Sequence, residues 1–197
     1  MTGILITIVG PMFSGKTTEL LRLMDRELIA KRNSILFKPQ LDNRYSEEDV
    51  LNHNGVGRKA IIANNSHQIL DKVVELNKQK TIENIFIDEI QFFDSEIIEV
   101  IDKINDLGID VYTCGLNQTF KGTSFPFKDG MKDMGYLMAI SDQIISLDAI
   151  CNVCGEKATK TYRIGIEEAT VIVGGQDKYQ ARCKNCFKLW NNLCLKK

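Results

Sequence analysis

Three features of the 197-residue sequence predict an α/β fold: a parallel sheet with flanking helices, followed by a small cysteine-rich unit. Apolar runs and helix-patterned segments alternate from residue 4 to residue 147. A glycine-rich turn joins the first run to the first helix, and two Cys-x-x-Cys pairs follow between 151 and 186. Such alternation implies parallel strands with helices packed on both faces. We expect one domain over 1–148 and a second over 149–197, where the character changes to paired cysteines and a lysine-rich tail.

The elements follow in order. Ile4 to Val9 is a strand, and Leu20, Leu21, Met24 and Leu28 recur at helical spacing, which predicts a helix from Lys16 to about Arg32. Ser34–Phe37 and Lys59–Ala63 read as strands and Gln68–Leu76 as a helix. Asn84–Asp88 is almost wholly apolar, as strands buried on both faces are. The helix pattern Glu96–Leu107 stops at Gly108, and Ile109–Thr113 resumes the strand signal. A helix at Met131–Ile140 and a strand at Gln143–Leu147 complete the sheet. The irregular stretch Leu116–Asp129, with Phe120, Phe125 and Phe127, reads either as a loop packed on the core or as part of a site.

The turn after the first strand is Gly10, Pro11, Met12, Phe13, Ser14, Gly15, Lys16 and Thr17, which matches G-x-x-x-x-G-K-[ST]. Between a strand and a helix this spacing makes a P-loop, so the sheet is of the P-loop NTPase type. Backbone N–H groups close around phosphates, Lys16 reaches the outer phosphates, and the Thr17 hydroxyl ligates Mg2+. The strand at 84–88 ends in Asp88-Glu89, where such a fold needs a carboxylate for the Mg2+ shell. Asp88 fits that role. Glu89, one step nearer the terminal phosphoryl group, can orient an attacking oxygen and accept its proton. That oxygen belongs either to water or to an acceptor hydroxyl, so nucleotide hydrolase and kinase both stand.

Cys151-x-x-Cys154 and Cys183-x-x-Cys186 supply four thiolates, which suit a closed, structural Zn2+ site with no open coordination position. Of the other two cysteines, Cys114 reads as a buried strand residue and Cys194 as a helix residue. His67 falls on a helix surface and His53 in a loop. The formal charge of -1 and the lack of a basic stripe argue against a nucleic-acid partner or a membrane surface. Apolar runs fall short of the ~18 residues a spanning helix needs. The first strand starts within a few residues of Met1, with no room for a signal peptide, so a reducing cytoplasm is expected.

GPMFSGKT, Lys38-Pro39 with Asp42-x-Arg44-Tyr45, Asp88-Glu89-x-Gln91-Phe92-Phe93, Gly115-Leu116 with Phe120, and Val173-Gly174-Gly175 with Tyr179 occur in this order along the chain. Together they closely resemble the cytosolic type of thymidine kinase. DExQFF and the VGGxxxY segment between cysteine pairs carry most of that likeness. The resemblance implies ATP- and Mg2+-dependent phosphorylation of the 5′-hydroxyl of deoxythymidine by a homotetramer, with dTTP as a feedback inhibitor. It makes Glu89 the base and adds Gln91 to the ATP-binding residues. The segment from about Arg163 to Arg182 becomes a lasso-like lid, in which Arg163, Thr170, Ile172, Val173, Gly174 and Tyr179 match substrate-binding positions. Met12, Phe92, Leu116, Phe120 and Phe125 match the apolar walls around the base. Many members have Asp at the positions of Asn117 and Thr119, Pro at that of Ser124 and Arg at that of Lys184, departures that bear on local loop geometry rather than on the chemistry. His53 and Arg58 lie in a loosely matching loop.

Two other readings compete. A P-loop ATPase that grips nucleic acid through its zinc element would carry the basic stripe missing here. An interaction module with a degenerate nucleotide site would not keep Lys16, Thr17 and Asp88.

Overall fold

A computed structural model describes residues 1–40, 49–51, 57–165 and 177–188. The elements in chain order are β1 (Leu5–Gly10), α1 (Lys16–Ile29), β2 (Ser34–Pro39), β3 (Asp49–Leu51), β4 (Gly57–Lys59), β5 (Ile61–Ala63), α2 (Ser66–Gln79), β6 (Asn84–Ile87), α3 (Ile97–Asp106), β7 (Asp110–Leu116), α4 (Met134–Ile140) and β8 (Gln143–Ser146). Four short strands follow: β9 (Ala149–Ile150), β10 (Lys157–Ala158), β11 (Lys160–Arg163) and β12 (Tyr179–Arg182). A 3-10 turn, Ile90–Phe92, follows β6.

The central sheet has six strands in the order β5-β2-β6-β7-β1-β8, and every pairing is parallel. Parallel strands need crossovers, and their helices cover both faces, as the alternation predicted. On one face Ile6, Ile8, Leu36, Phe86 and Tyr112 pack with Leu20, Leu21 and Met24 of α1. On the other, Val9, Ile85, Ile87 and Val111 pack with Ile69 and Val73 of α2, Ile97, Val100, Ile101 and Ile104 of α3, and Leu137 of α4. The inner strands β1 and β6 are buried along their whole length, which is why they read as nearly continuous apolar runs.

Element limits differ from expectation where capping or pairing overrides periodicity. The strand expected over Lys59–Ala63 is two pieces. Lys59 ends a separate antiparallel β3–β4 ribbon, whereas Ile61–Ala63 pairs with β2 at the sheet edge. The second helix begins at Ser66 because the Asn65 side chain accepts from Gln68 N, 3.0 Å. α1 stops at Ile29, short of Arg32, as Lys31 turns left-handed at φ 61°. α4 starts at Met134 rather than Met131 because Asp133 caps it, accepting from Tyr136 N. Beyond β8, β9–β10 and β11–β12 form two antiparallel ribbons. Asn152 joins them, its N–H donating to Ala181 O and its Oδ1 accepting from Ala181 N.

Candidate active site

The site lies at the carboxyl ends of β1, β6 and β7. β7 runs between the P-loop strand and the acidic strand, so the ends of β1 and β6 are one strand apart. Gly15 takes the N-cap of α1 at φ 81°, a conformation open to glycine without a Cβ penalty. Phe13 is left-handed too, at φ 65°. Two such positions in one turn curl successive N–H groups into an anion-binding concavity at the N-terminus of the helix. Pro11 O accepts from Ser14 Oγ and from Lys16 Nζ, both at 2.8 Å, and Gly10 closes the strand end of the loop.

Lys16, Asp88 and Cys114 are buried together at this loop, and the half-buried Glu89 adjoins them. Thr17 Oγ1 donates to Asp88 Oδ1 at 3.2 Å, and Glu89 N and Cys114 Sγ donate to the same oxygen at 3.0 and 2.7 Å. Burial lowers the Lys16 pKa against the pull of Glu89, Cys114 and Asp88. Burial likewise raises Asp88 against the donors on it, and raises Glu89, where the Asp88 charge adds to the effect and Lys16 and Gln91 oppose it. The Asp88 carboxylate and the Thr17 hydroxyl bonded to it offer oxygen donors that fit a hard divalent cation.

Glu89 occupies the left-handed region at φ 51°, ψ 43°. For a side chain of its size this costs about 1 kcal/mol or more, and such strain clusters at functional sites. Its carboxylate accepts from Gln91 Nε2, while Gln91 Oε1 accepts from Leu116 N at 3.2 Å. Gln91, expected among the ATP-binding residues, therefore spends its buried amide on joining Glu89 to the end of β7. Gly115 makes room for this: a Cβ there would lie 2.4 Å from Gln91 Oε1.

The expected apolar walls come from four places. Phe92, in the 3-10 turn, meets Phe125 edge-on at 5.8 Å, and Leu116 packs on the same core. Phe120 stacks under the buried Arg163 guanidinium at 3.7 Å, and Arg163 also donates to Tyr179 Oη at 3.2 Å across the β11–β12 pair. Met12 reaches this side through its backbone, its N–H donating to Thr161 Oγ1 on β11 at 2.9 Å. Thr170, Ile172, Val173 and Gly174 lie outside the described residues, as does His53. Arg58 makes an exposed ion pair with Asp25 at 2.8 Å. Three of the atypical loop positions hold the loop from within: Thr119 Oγ1 bonds Thr123 Oγ1, Ser124 Oγ accepts from Gly135 N, and Asn117 O accepts from Phe125 N.

The four expected cysteines converge. The Sγ atoms of Cys151, Cys154, Cys183 and Cys186 all lie within 4.8 Å of one another, and Cys154 to Cys183 is 3.7 Å. A tetrahedral ion with Zn–S bonds of about 2.3 Å needs S···S edges of about 3.8 Å. Burial opposes ionisation of Cys151, yet N–H groups of Cys183, Cys154 and Val153 pull its pKa down to about 6. The neighbouring sulfur of Cys183, with burial, pushes Cys186 up to about 12. A first thiolate forms readily and the next are resisted, a conflict that a dication resolves. The donor set fits zinc.

Sequence reasoning missed two contacts. Cys114 is the buried strand residue expected, but nothing in the sequence showed that the parallel register Ile87↔Thr113 puts it beside Asp88. The Thr161–Met12 bond joins residues too far apart in sequence for any local signal.

Comparison with known proteins bears directly on this arrangement. A family model described as thymidine kinase matches residues 3–187. A thymidine kinase of Thermococcus kodakarensis is 39% identical over 188 residues, covering 92% of each chain. One from Pseudothermotoga lettingae is 37% identical over 188 residues, covering 95% of this chain and 96% of its own. With nearly its whole length matched at this identity, the chain belongs to the thymidine kinase family.

Proposed function

We propose that the chain transfers the γ-phosphoryl group of ATP to the 5′-hydroxyl of deoxythymidine, giving ADP and dTMP, a precursor for DNA synthesis. The observation that carries this reading is the Glu89 carboxylate, held by Gln91 in a left-handed turn beside Lys16 and Asp88. Glu89 orients the nucleoside hydroxyl and takes its proton late, as the oxygen–phosphorus bond forms and the bond to the ADP oxygen breaks. The P-loop N–H groups and Lys16 bear the phosphate charge. Thr17 and Asp88 are the residues to hold Mg2+, which would neutralise charge on the β- and γ-phosphates.

Burial and the Asp88 charge already raise the Glu89 pKa. Gln91 works the other way, because its N–H donates to the ionised carboxylate. In Gln91→Leu the Glu89 pKa therefore rises further, and the acidic limb of the kcat–pH profile moves to higher pH. An unmoved limb would separate Gln91 from the ionisation of Glu89.

On the acceptor side, Phe92, Leu116, Phe120, Phe125 and Met12 suit the flat face and methyl group of thymine. Arg163 acts by locking Phe120 and Tyr179, and the lid between β11 and β12 supplies main-chain partners for the base. The division at 148/149, a homotetramer, a cytoplasmic setting and feedback by dTTP complete the reading. No helix among the described residues is long and apolar enough to cross a membrane. The test is an ATP-dependent transfer assay across the natural nucleosides, with deoxythymidine the preferred acceptor. Transfer to none of them, or DNA-stimulated hydrolysis without a nucleoside, would sink it.

A further inference from the structure

Phe13, in the phosphate-binding turn, packs on the cysteine-bearing ribbons. It packs against the small buried cluster of Ala149, Cys151, Ala158, Ala181 and Cys186, on whose margin Cys183 also packs. The backbone carrying it is left-handed at φ 65°, which a phenylalanine keeps only where its ring is held. The next residue back, Met12, donates its N–H to Thr161 on β11, so the turn is tied to the ribbons twice. Ala181, a member of that cluster, exchanges two hydrogen bonds with Asn152 between the first two cysteines.

We infer that Phe13 is a positioning residue that links the cysteine site to the phosphate loop, so that metal occupancy and donor-nucleotide binding stabilise one another. The small core contains two of the four ligand residues, and a third, Cys183, packs on its margin. Loss of the metal removes the packing that holds Phe13, and the turn relaxes from the curl its N–H groups need. Linkage is reciprocal: a ligand that fixes the turn must hold the small core, and with it the metal. This rests on the reading that the turn binds ATP phosphates, and it adds to a structural zinc site an effect on the donor half of the reaction.

The test uses the zinc-loaded full chain without nucleoside. Zinc release to a chromogenic chelator is followed with and without saturating Mg·AMPPNP, whose binding is measured independently by calorimetry. In the wild type AMPPNP slows release by about tenfold, within the usual range of coupling between sites. In Phe13→Ala release is faster from the outset, and AMPPNP still binds, more weakly, but no longer protects. Phe13→Tyr, which keeps the ring, restores protection. Should the alanine variant lose its fold or its nucleotide, Phe13→Leu decides: at least half of the protection is lost if the ring transmits the coupling. Full protection in Phe13→Ala or Phe13→Leu overturns the inference, as does a wild type that binds AMPPNP without protection. A wild type that does not bind AMPPNP sinks the ATP reading itself, and the linkage with it.

Discussion

Glu89→Gln is expected to lower kcat by about 10³-fold, the loss typical when a positioned proton acceptor is removed, while the dissociation constant for Mg·AMPPNP changes little. The amide keeps the shape of the side chain and cannot take a proton. The same variant should also be more stable at neutral pH. Glu89 is an acid whose folded pKa is raised, so the folded state holds its proton over a range where the unfolded chain has released it. Stability then falls as pH rises from the unfolded carboxylate value of about 4.3 to the raised folded value, and stays lower above it. Glutamine lacks this penalty. Thermal unfolding at pH 5 and pH 8 beside single-turnover transfer checks both halves. Near-normal transfer would remove Glu89 from the mechanism.

Cys151→Ser has the second large effect. Structural zinc contributes about 10–16 kcal/mol of binding free energy in small metal-folded units, so loss of one ligand threatens the whole ribbon region. Serine is a poor ligand for zinc, and Cys151 is also buried in the small core, so ligation and packing are weakened together. The expected result is about one zinc per chain in the wild type and far less in the variant, with deoxythymidine affinity reduced at least tenfold. The β11–β12 pair holds Arg163 and Tyr179 together, and it loses its support when the cysteine cluster opens. Metal analysis and equilibrium binding of deoxythymidine measure this. Unchanged nucleoside affinity in a zinc-free variant would refute the anchoring role.

Much of the fold was legible because the inner strands are buried on both faces. Leu5–Gly10 and Asn84–Ile87 stand out as apolar blocks, and the glycine turn and Asp88-Glu89 sit at their ends. The cysteine quartet was legible from spacing alone, since two Cys-x-x-Cys pairs have few other structural uses. Lys59–Ala63 was misread because periodicity does not show that Lys59 pairs with Asp49 while Ile61 pairs with Phe37. Helix starts at Ser66 and Met134 were set by the caps Asn65 and Asp133, which lie outside the repeating pattern. In the site, residue types pointed to Lys16, Thr17, Asp88 and Glu89. What each polar side chain touches was not legible: Gln91 turns out to bond Glu89 and Leu116, and Cys114 to bond Asp88. Such choices are made by register and by contacts across the sheet.

The place of β7 between β1 and β6 has a consequence for how the site can diverge. Three successive residues at its tip adjoin both halves of the proposed site. Cys114 bonds the carboxylate on the phosphate side, Gly115 makes room for the glutamine that holds Glu89, and Leu116 bonds that glutamine and joins the apolar wall. A shift of this tip would disturb donor and acceptor geometry together, so it leaves almost no freedom to adjust one without the other. On the proposed reading, new acceptor preferences are expected in the loop beyond Leu116 and in the β11–β12 ribbon, where a side chain can change while the strand ends at Cys114 and Asp88 stay put.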